Sequence, residues 1–343
     1  LIRRLDGPPG PVTSIFVGGG TPTVRPAEQL AWLLEPLAEI AVPDTGVEFT
    51  VEANPATVDN TMAETLVRAG VTRMSLGAQS FHAADLAVLE RIHSPDDIAP
   101  AVKAARQAGI GQLNLDLIFG IPGQTMAGWL ESLDRAIALE PNHLALYGLT
   151  YEPGTALTRR RDRGQIKPCD DGFEADAYLA AIERAEGAGF EQYEISNFAR
   201  PGCRCRQNLL YWRGQPYVGV GPSAAGYTDG RRYRNVANLK QYLDRVEKTG
   251  TAVEETESID GVRLATELIM LGLRLVEGLE LAVFERRTGL NPRRAFARVL
   301  DPYQAQGRLT ISDTHIALTR QGFLIADAIM TDLMAELDEV VGV

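Results

Sequence analysis

Phe16-Val17-Gly18-Gly19-Gly20-Thr21-Pro22 decides the fold: an apolar run stops abruptly in three glycines and a threonine. The same plan recurs at Thr50-Val51-Glu52-Ala53-Asn54-Pro55, at Ser75-Leu76-Gly77-Ala78-Gln79-Ser80 and at Asn114-Leu115-Asp116-Leu117-Ile118-Phe119-Gly120. Each run is short and β-rich, and a helical stretch follows each one. Alternating strand and helix implies a parallel sheet. Parallel strands closed into a barrel put their ends on one rim, where a βα-barrel builds its site. Thr21, Glu52, Gln79 and Asp116 are therefore expected to converge on one ligand. No positive charge comes with them, so a cationic or amine-bearing ligand fits better than a bare phosphate.

Working outward, strands are expected at 13–17, 47–51, 73–76, 113–119, 144–149 and 193–195. Helices are expected at 27–40, 61–69, 98–108 and 170–187, two of them ending at Gly70 and Gly109, the usual place of a C-cap glycine. Six strands make a partial barrel, assigned to residues 1–200. Residues 201–250 form a connecting segment, with 203–212 read as a loop and a glycine-rich strand and turn after it. Residues 251–343 hold helices at 259–275, 281–288, 292–306 and 322–337 around a small hairpin at 309–318, which is a winged-helix-like α+β domain. The fold class is thus α/β, a partial barrel with a small C-terminal domain.

The 343 residues carry a net charge of −11, which argues against a nucleic-acid partner. The longest apolar run, 268–276, is short of a membrane span and contains Arg274. No signal-peptide pattern opens the chain. Three cysteines in this length suit a reducing, cytoplasmic compartment. Cys169, Cys203 and Cys205 have no standard metal spacing, so no metal site is assigned to them. His82, His93, His143 and His315 support no catalytic triad; His143 opens a strand and reads as structural.

Taken singly, the candidates are ambiguous. Glycine-rich strand ends are common turns, although glycine also lets backbone approach a ligand closely. A lone glutamate is usually a surface carboxylate, but Glu52 stands one residue beyond an apolar strand. Asp116 is embedded in an apolar run, so its charge must be paired or functional; Arg91 is one candidate to pair with it. Tyr211-Trp212 beside Asn208 is either core packing or a surface for a flat aromatic or porphyrin ligand.

Together, Gly-Gly-Gly-Thr-Pro-Thr, Glu-Ala-Asn-Pro, Gly-Ala-Gln-Ser-Phe, Leu-Glu-Arg-Ile-His and Asp-Leu-Ile-Phe-Gly-Ile-Pro-Gly-Gln-Thr, in this order, resemble the radical S-adenosylmethionine proteins of the oxygen-independent coproporphyrinogen III oxidase group. The chain is most similar to the haem-chaperone branch, because Asn208-Leu209-Leu210-Tyr211-Trp212 resembles most of that branch's His-Asn-x-x-Tyr-Trp motif. The resemblance implies S-adenosylmethionine on Gly19, Gly20, Thr21, Glu52, Gln79, Arg91 and Asp116. It implies haem near Asn208, Tyr211 and Trp212, a 4Fe–4S cluster in the intact family member, and a haem-acceptor protein, including one associated with a membrane, as partner. The implied alternatives are the decarboxylating oxidase and a clusterless porphyrin-binding protein; no catalytic residue is assigned. Two departures stand out. The family's C-x-x-x-C-x-x-C motif is absent ahead of Gly18, and the chain opens on Leu1 within an uncapped helical stretch, so an N-terminal truncation is expected. Gln207 occupies the position of the motif's histidine, and a glutamine amide is a poor haem ligand. Cys205 is the thiolate alternative.

Overall fold

The computed structural model describes residues 12–39 and 46–341, and side chains to residue 337. The expected helical opening of the chain lies outside these residues, as does Ile40. The chain divides into two compact units, 13–206 and the part from 207 onward.

The first unit runs β1 (Ser14–Val17), a 3-10 turn (Pro22–Val24), α1 (Ala27–Ala38), β2 (Glu48–Ala53), α2 (Asn60–Arg68), β3 (Arg73–Gln79), α3 (Ala83–Val88), α4 (Pro95–Ala108) and β4 (Gln112–Phe119). It continues through α5 (Met126–Ala138), β5 (His143–Gly148), α6 (Ala156–Asp162), α7 (Asp171–Gly187), β6 (Glu191–Gln192) and β7 (Asn197–Ala199). The sheet order is β1-β2-β3-β4-β5-β7-β6. The first five strands pair in parallel, and β7 and β6 pair antiparallel at the end. The strand expected at 193–195 is instead the bend of this closing hairpin. Glu194 makes the bend by accepting from the backbone N–H of Ser196 at 3.2 Å and from the Asn197 side chain.

Strand alternation sorts the sheet into two faces. Phe49, Val51, Met74, Leu76, Leu115 and Leu117 are fully buried on one face. Phe119 on that face packs against Trp129 of α5 and Tyr178 of α7, with ring centroids 5.5 and 6.2 Å apart. The alternate positions are polar: Thr50 and Glu52 on β2, Arg73 and Ser75 on β3, Asn114 and Asp116 on β4, His143 on β5. A barrel core is ordinarily filled with aliphatic layers. Here the apolar layer lies under the helices and the concave face is left polar, which is a surface for chemistry.

The second unit begins in α8 (Arg206–Trp212), where the sequence reading expects a loop. The apolar run Leu209-Leu210-Tyr211-Trp212 continues a short helix, stopped at Gly214 with φ +56. The connecting segment is also more structured than expected. β8 (Ala225–Thr228), β9 (Arg231–Asn235) and β10 (Val253–Ser258) form an antiparallel sheet in the order β10-β9-β8, and α9 (Leu239–Thr249) supplies Tyr242 and Val246 to its small core with Val236 and Ala252. A boundary at 250 falls inside this assembly. Beyond it come α10 (Gly261–Gly272), β11 (Leu279–Glu280), α11 (Leu281–Thr288), α12 (Pro292–Ala295), α13 (Ala297–Ala305), β12 (Leu309–Ile311), β13 (His315–Leu318), α14 (Arg320–Phe323) and α15 (Ala326–Val341). The hairpin gains a third strand, in the order β11-β13-β12. Among the described residues no helix is long and apolar enough to cross a membrane.

Candidate functional site

The concave face gathers the acids. Asp116, in mid-strand rather than at its end, accepts from Asn114 Nδ2 at 2.6 Å and from Ser75 Oγ at 3.4 Å. Burial pushes its carboxyl up to about 6, opposed by the Asn114 hydrogen bond, the Arg73 charge, Ser75 and, more weakly, Arg91. Arg91 is exposed and acts on Asp116 through its field; no ion pair joins the two among the described residues. Glu52, the penultimate residue of β2, is raised as well, by burial and then by Asp116, while a backbone hydrogen bond from Gly19 lowers it. Two neighbouring carboxyls that resist ionisation are poised for a cation and for hydroxyl donors.

The glycines make this possible. A Cβ on Gly18 would stand 2.5 Å from Glu52 Oε2, so the strand end is open only because nothing projects there. Gly19 takes φ +86, and Gly20 has nothing within 4 Å of where a Cβ would stand. Thr21, exposed, begins the 3-10 turn, its carbonyl accepting from Val24 at 3.1 Å. Gln79 ends β3 at φ +63, unusual for a residue with a side chain, beside a register shift against β4. Its amide folds back over Gly77, where a Cβ would meet Nε2 at 2.8 Å.

Other motif residues stitch the loops rather than face the acids. His93, 3% exposed, joins Ala78 O (Nε2, 3.0 Å) to Asn54 Nδ2 (Nδ1, 3.3 Å), and so ties the Glu-Ala-Asn-Pro turn to the end of β3. Gln124 accepts from Gly120 N at 2.9 Å and donates to Asp85 at 3.2 Å. Sequence reasoning quoted both residues within motifs without giving them a role. It also missed the buried chain behind Asp116. Asn114 Oδ1 meets His143 Nδ1 at 2.6 Å, and His143 Nε2 meets the Tyr193 hydroxyl at 2.8 Å. Because Asn114 Nδ2 donates to Asp116 and to Ser75, its Oδ1 accepts from His143 Nδ1, and Tyr193 donates to Nε2. Burial, followed by the Arg73 charge, holds His143 well below its usual range, so it stays neutral. The signal in the sequence is only that polar residues recur at alternate strand positions; the parallel register that sets Asn114 between Ser75 and His143 is a property of the fold.

Asn208, Tyr211 and Trp212 all lie on α8. Tyr211 and Trp212 line a cleft of about 380 Å³ with Tyr217, Tyr227, Arg232 and Glu267. Tyr211 and Tyr217 meet edge to face with centroids 4.7 Å apart, and the Arg274 guanidinium stands 5.8 Å from the Trp212 ring. Arg232 donates to Glu267 at 2.6 Å and to Glu257 at 3.2 Å.

The cysteines do not suit an iron–sulfur cluster. Cys169 donates to Ile121 O at 3.4 Å, and burial followed by Glu174 pushes its thiol up. Cys205 is fully buried and donates to Glu48 Oε1 at 3.4 Å, so its thiol is not presented to a haem in this structure. Among the described residues no group of three or more His, Cys, Asp or Glu side chains is placed to hold a metal.

Residues 1–136 match the Radical SAM superfamily and residues 263–325 the HemN C-terminal domain. The chain is 33% identical over 325 residues to the heme chaperone HemW of Bacillus subtilis, covering 94% of this chain and 86% of the relative. It is 38% identical over 331 residues to that of Mycobacterium tuberculosis, covering 96% and 82%. Coproporphyrinogen III oxidase (HemN) from Escherichia coli, described as a radical SAM enzyme, superposes with a TM-score of 0.77 over 94% of this chain and 77% of its own, at 22% identity, a likeness of fold. The matched domains cover both units and the relatives span nearly the whole chain, so it belongs to the HemW heme chaperone family of the radical SAM superfamily.

Proposed function

We propose that this chain binds S-adenosylmethionine on the concave face of its sheet and haem on its C-terminal unit, and delivers the haem to an acceptor protein. The observation that carries the cofactor reading is the Glu52–Asp116 pair beside the open strand end at Gly18. S-adenosylmethionine brings a sulfonium, an amine and ribose hydroxyls, the cation and donors that two raised carboxyls lack. Gly19, Gly20 and Thr21 would present backbone to the methionine end. Glu52 and Asp116 would take amine and hydroxyls, with Gln79 and Arg91 bordering them. A 4Fe–4S cluster is characteristic of the superfamily, but Cys169, Cys203 and Cys205 do not fit one.

Haem is cargo in this reading. The cleft beside Tyr211 and Trp212 supplies aromatic faces for a flat macrocycle, while Arg232 is already held by Glu267 and Glu257. The acceptor, including one at a membrane, belongs to the same proposal, as does a cytoplasmic location. Calorimetric titration of the whole chain with S-adenosylmethionine tests the cofactor site. Saturable binding weakened at least about ten-fold by Glu52→Gln is expected, for the loss of one charge-assisted contact. Equal affinities would remove Glu52 from the site.

A further inference from the structure

Three buried polar atoms on the concave face have no hydrogen-bond partner among the described residues: Thr50 Oγ1, Arg73 Nε and Gln112 Oε1. They form one row. Thr50 of β2 and Gln112 of β4 are the two Cα partners of Arg73 in the parallel ladder. Arg73 is 2% exposed and Thr50 0%. Among the described residues no carboxylate lies within ion-pair distance of the Arg73 guanidinium. A buried charge in this condition is costly, and native structures meet it with a partner.

The chemistry of the three atoms selects the partner. Arg73 Nε only donates, Gln112 Oε1 only accepts, and Thr50 Oγ1 does either. A direct bond between Arg73 and Gln112 would satisfy two of them, and it is not made. Neighbouring strands stand about 4.8 Å apart, and a water bridge built of two hydrogen bonds reaches about 5.5 Å. One water commonly satisfies about three buried polar atoms. An anion is disfavoured, because Glu52 and Asp116 already occupy this face.

We propose that Arg73 is a positioning residue, joined to Thr50 and Gln112 by one ordered water, that supplies the fixed positive charge beneath the Glu52–Asp116 pair. Asp116 is faced by Glu52 from β2, Arg73 from β3, Tyr147 from β5 and Arg91 from the segment after α3. His143 faces Arg73 and is kept uncharged by burial. Arg73 is therefore the one buried cation of that set, whereas Arg91 is exposed and solvent screens its field. Its charge favours the ionised carboxylate on Asp116, the form that attracts a cation.

The test uses the full chain without ligand, so its outcome is separate from that of the S-adenosylmethionine reading, which it deepens. Asp116 is titrated by carboxyl-carbon NMR in the wild type, in Arg73→Met and in Arg73→Lys. The midpoint is expected to rise by about one pH unit in Arg73→Met and to return toward the wild-type value in Arg73→Lys. An unmoved midpoint in a folded Arg73→Met chain overturns the charge role. A high-resolution crystal structure of the wild type is the second arm, and it decides even where Arg73→Met does not fold. A water bonded to Arg73 Nε, Thr50 Oγ1 and Gln112 Oε1 is expected. A direct Arg73–Gln112 bond, or a dry row, overturns the bridge.

Discussion

Asp116 is a residue held against its own charge. Its carboxyl stands at about 6 in the fold against 3.8 for the free group, chiefly through burial. A carboxyl raised by folding contributes stability that is full below its unfolded value and is lost as pH rises through the folded one. Between about pH 4 and pH 7 the native state therefore gives up stability to keep a carboxylate on this face. Asp116→Asn keeps an acceptor for Asn114 and has no charge to bury. It is expected to melt higher than wild type near pH 8, by on the order of a few degrees, with the advantage gone near pH 4 and S-adenosylmethionine binding reduced near pH 8, where the wild type carries the carboxylate. Thermal melts at the two pH values check this; an advantage of equal size at both would mean that the carboxylate is not the cause.

At the scale of elements, the end of β1 and the end of β3 do different work. Gly18 is small because Glu52 needs the space, and the atom that would collide is the far end of a flexible side chain. Gly19 is free of neighbours but sits at φ +86, which costs a side-chain residue about 1 kcal/mol or more. Gly18→Ala is expected to keep its melting temperature and lose about ten-fold in S-adenosylmethionine affinity as the carboxylate is displaced. Gly19→Ala is expected to lose stability. Melting curves and calorimetry on the pair decide it, and the opposite pattern would contradict the assignment.

Elements also explain what was legible in the sequence. β1 to β5 announce themselves because each is a short β-rich run with an apolar residue at every second position, followed by a helical stretch. Glu52 and Asp116 stand out as acidic residues at the alternate positions of β2 and β4. β6 and β7 have two and three residues, too few for any period, so Tyr193 and its apolar neighbours pass for a strand. α8 has seven residues after a Cys-Arg-Cys-Arg run, and it reads as a loop until its backbone bonds are seen. Arg73, Ser75, Asn114 and His143 were not legible as one network, because each alone is an ordinary strand residue. Only the register sets them side by side.

At the scale of the whole molecule, the two readings divide between the units: S-adenosylmethionine with the sheet, haem with the cleft beside α8. The haem reading makes a contrast that visible spectroscopy resolves. Trp212→Ala is expected to weaken haem binding by about ten-fold or more, the loss of an aromatic face. Cys205→Ala is expected to leave the Soret band unchanged, because Cys205 is buried against Glu48. A changed Soret band in Cys205→Ala would restore the thiolate as a ligand. The central claim is that the acids of the concave face hold the cofactor, and a crystal structure of this chain grown with S-adenosylmethionine tests it most directly. The ligand is expected against Gly18 to Gly20, with polar atoms within hydrogen-bond distance of Glu52 and Asp116. Ligand seated elsewhere on the chain, or a bare concave face at saturating concentration, would contradict it.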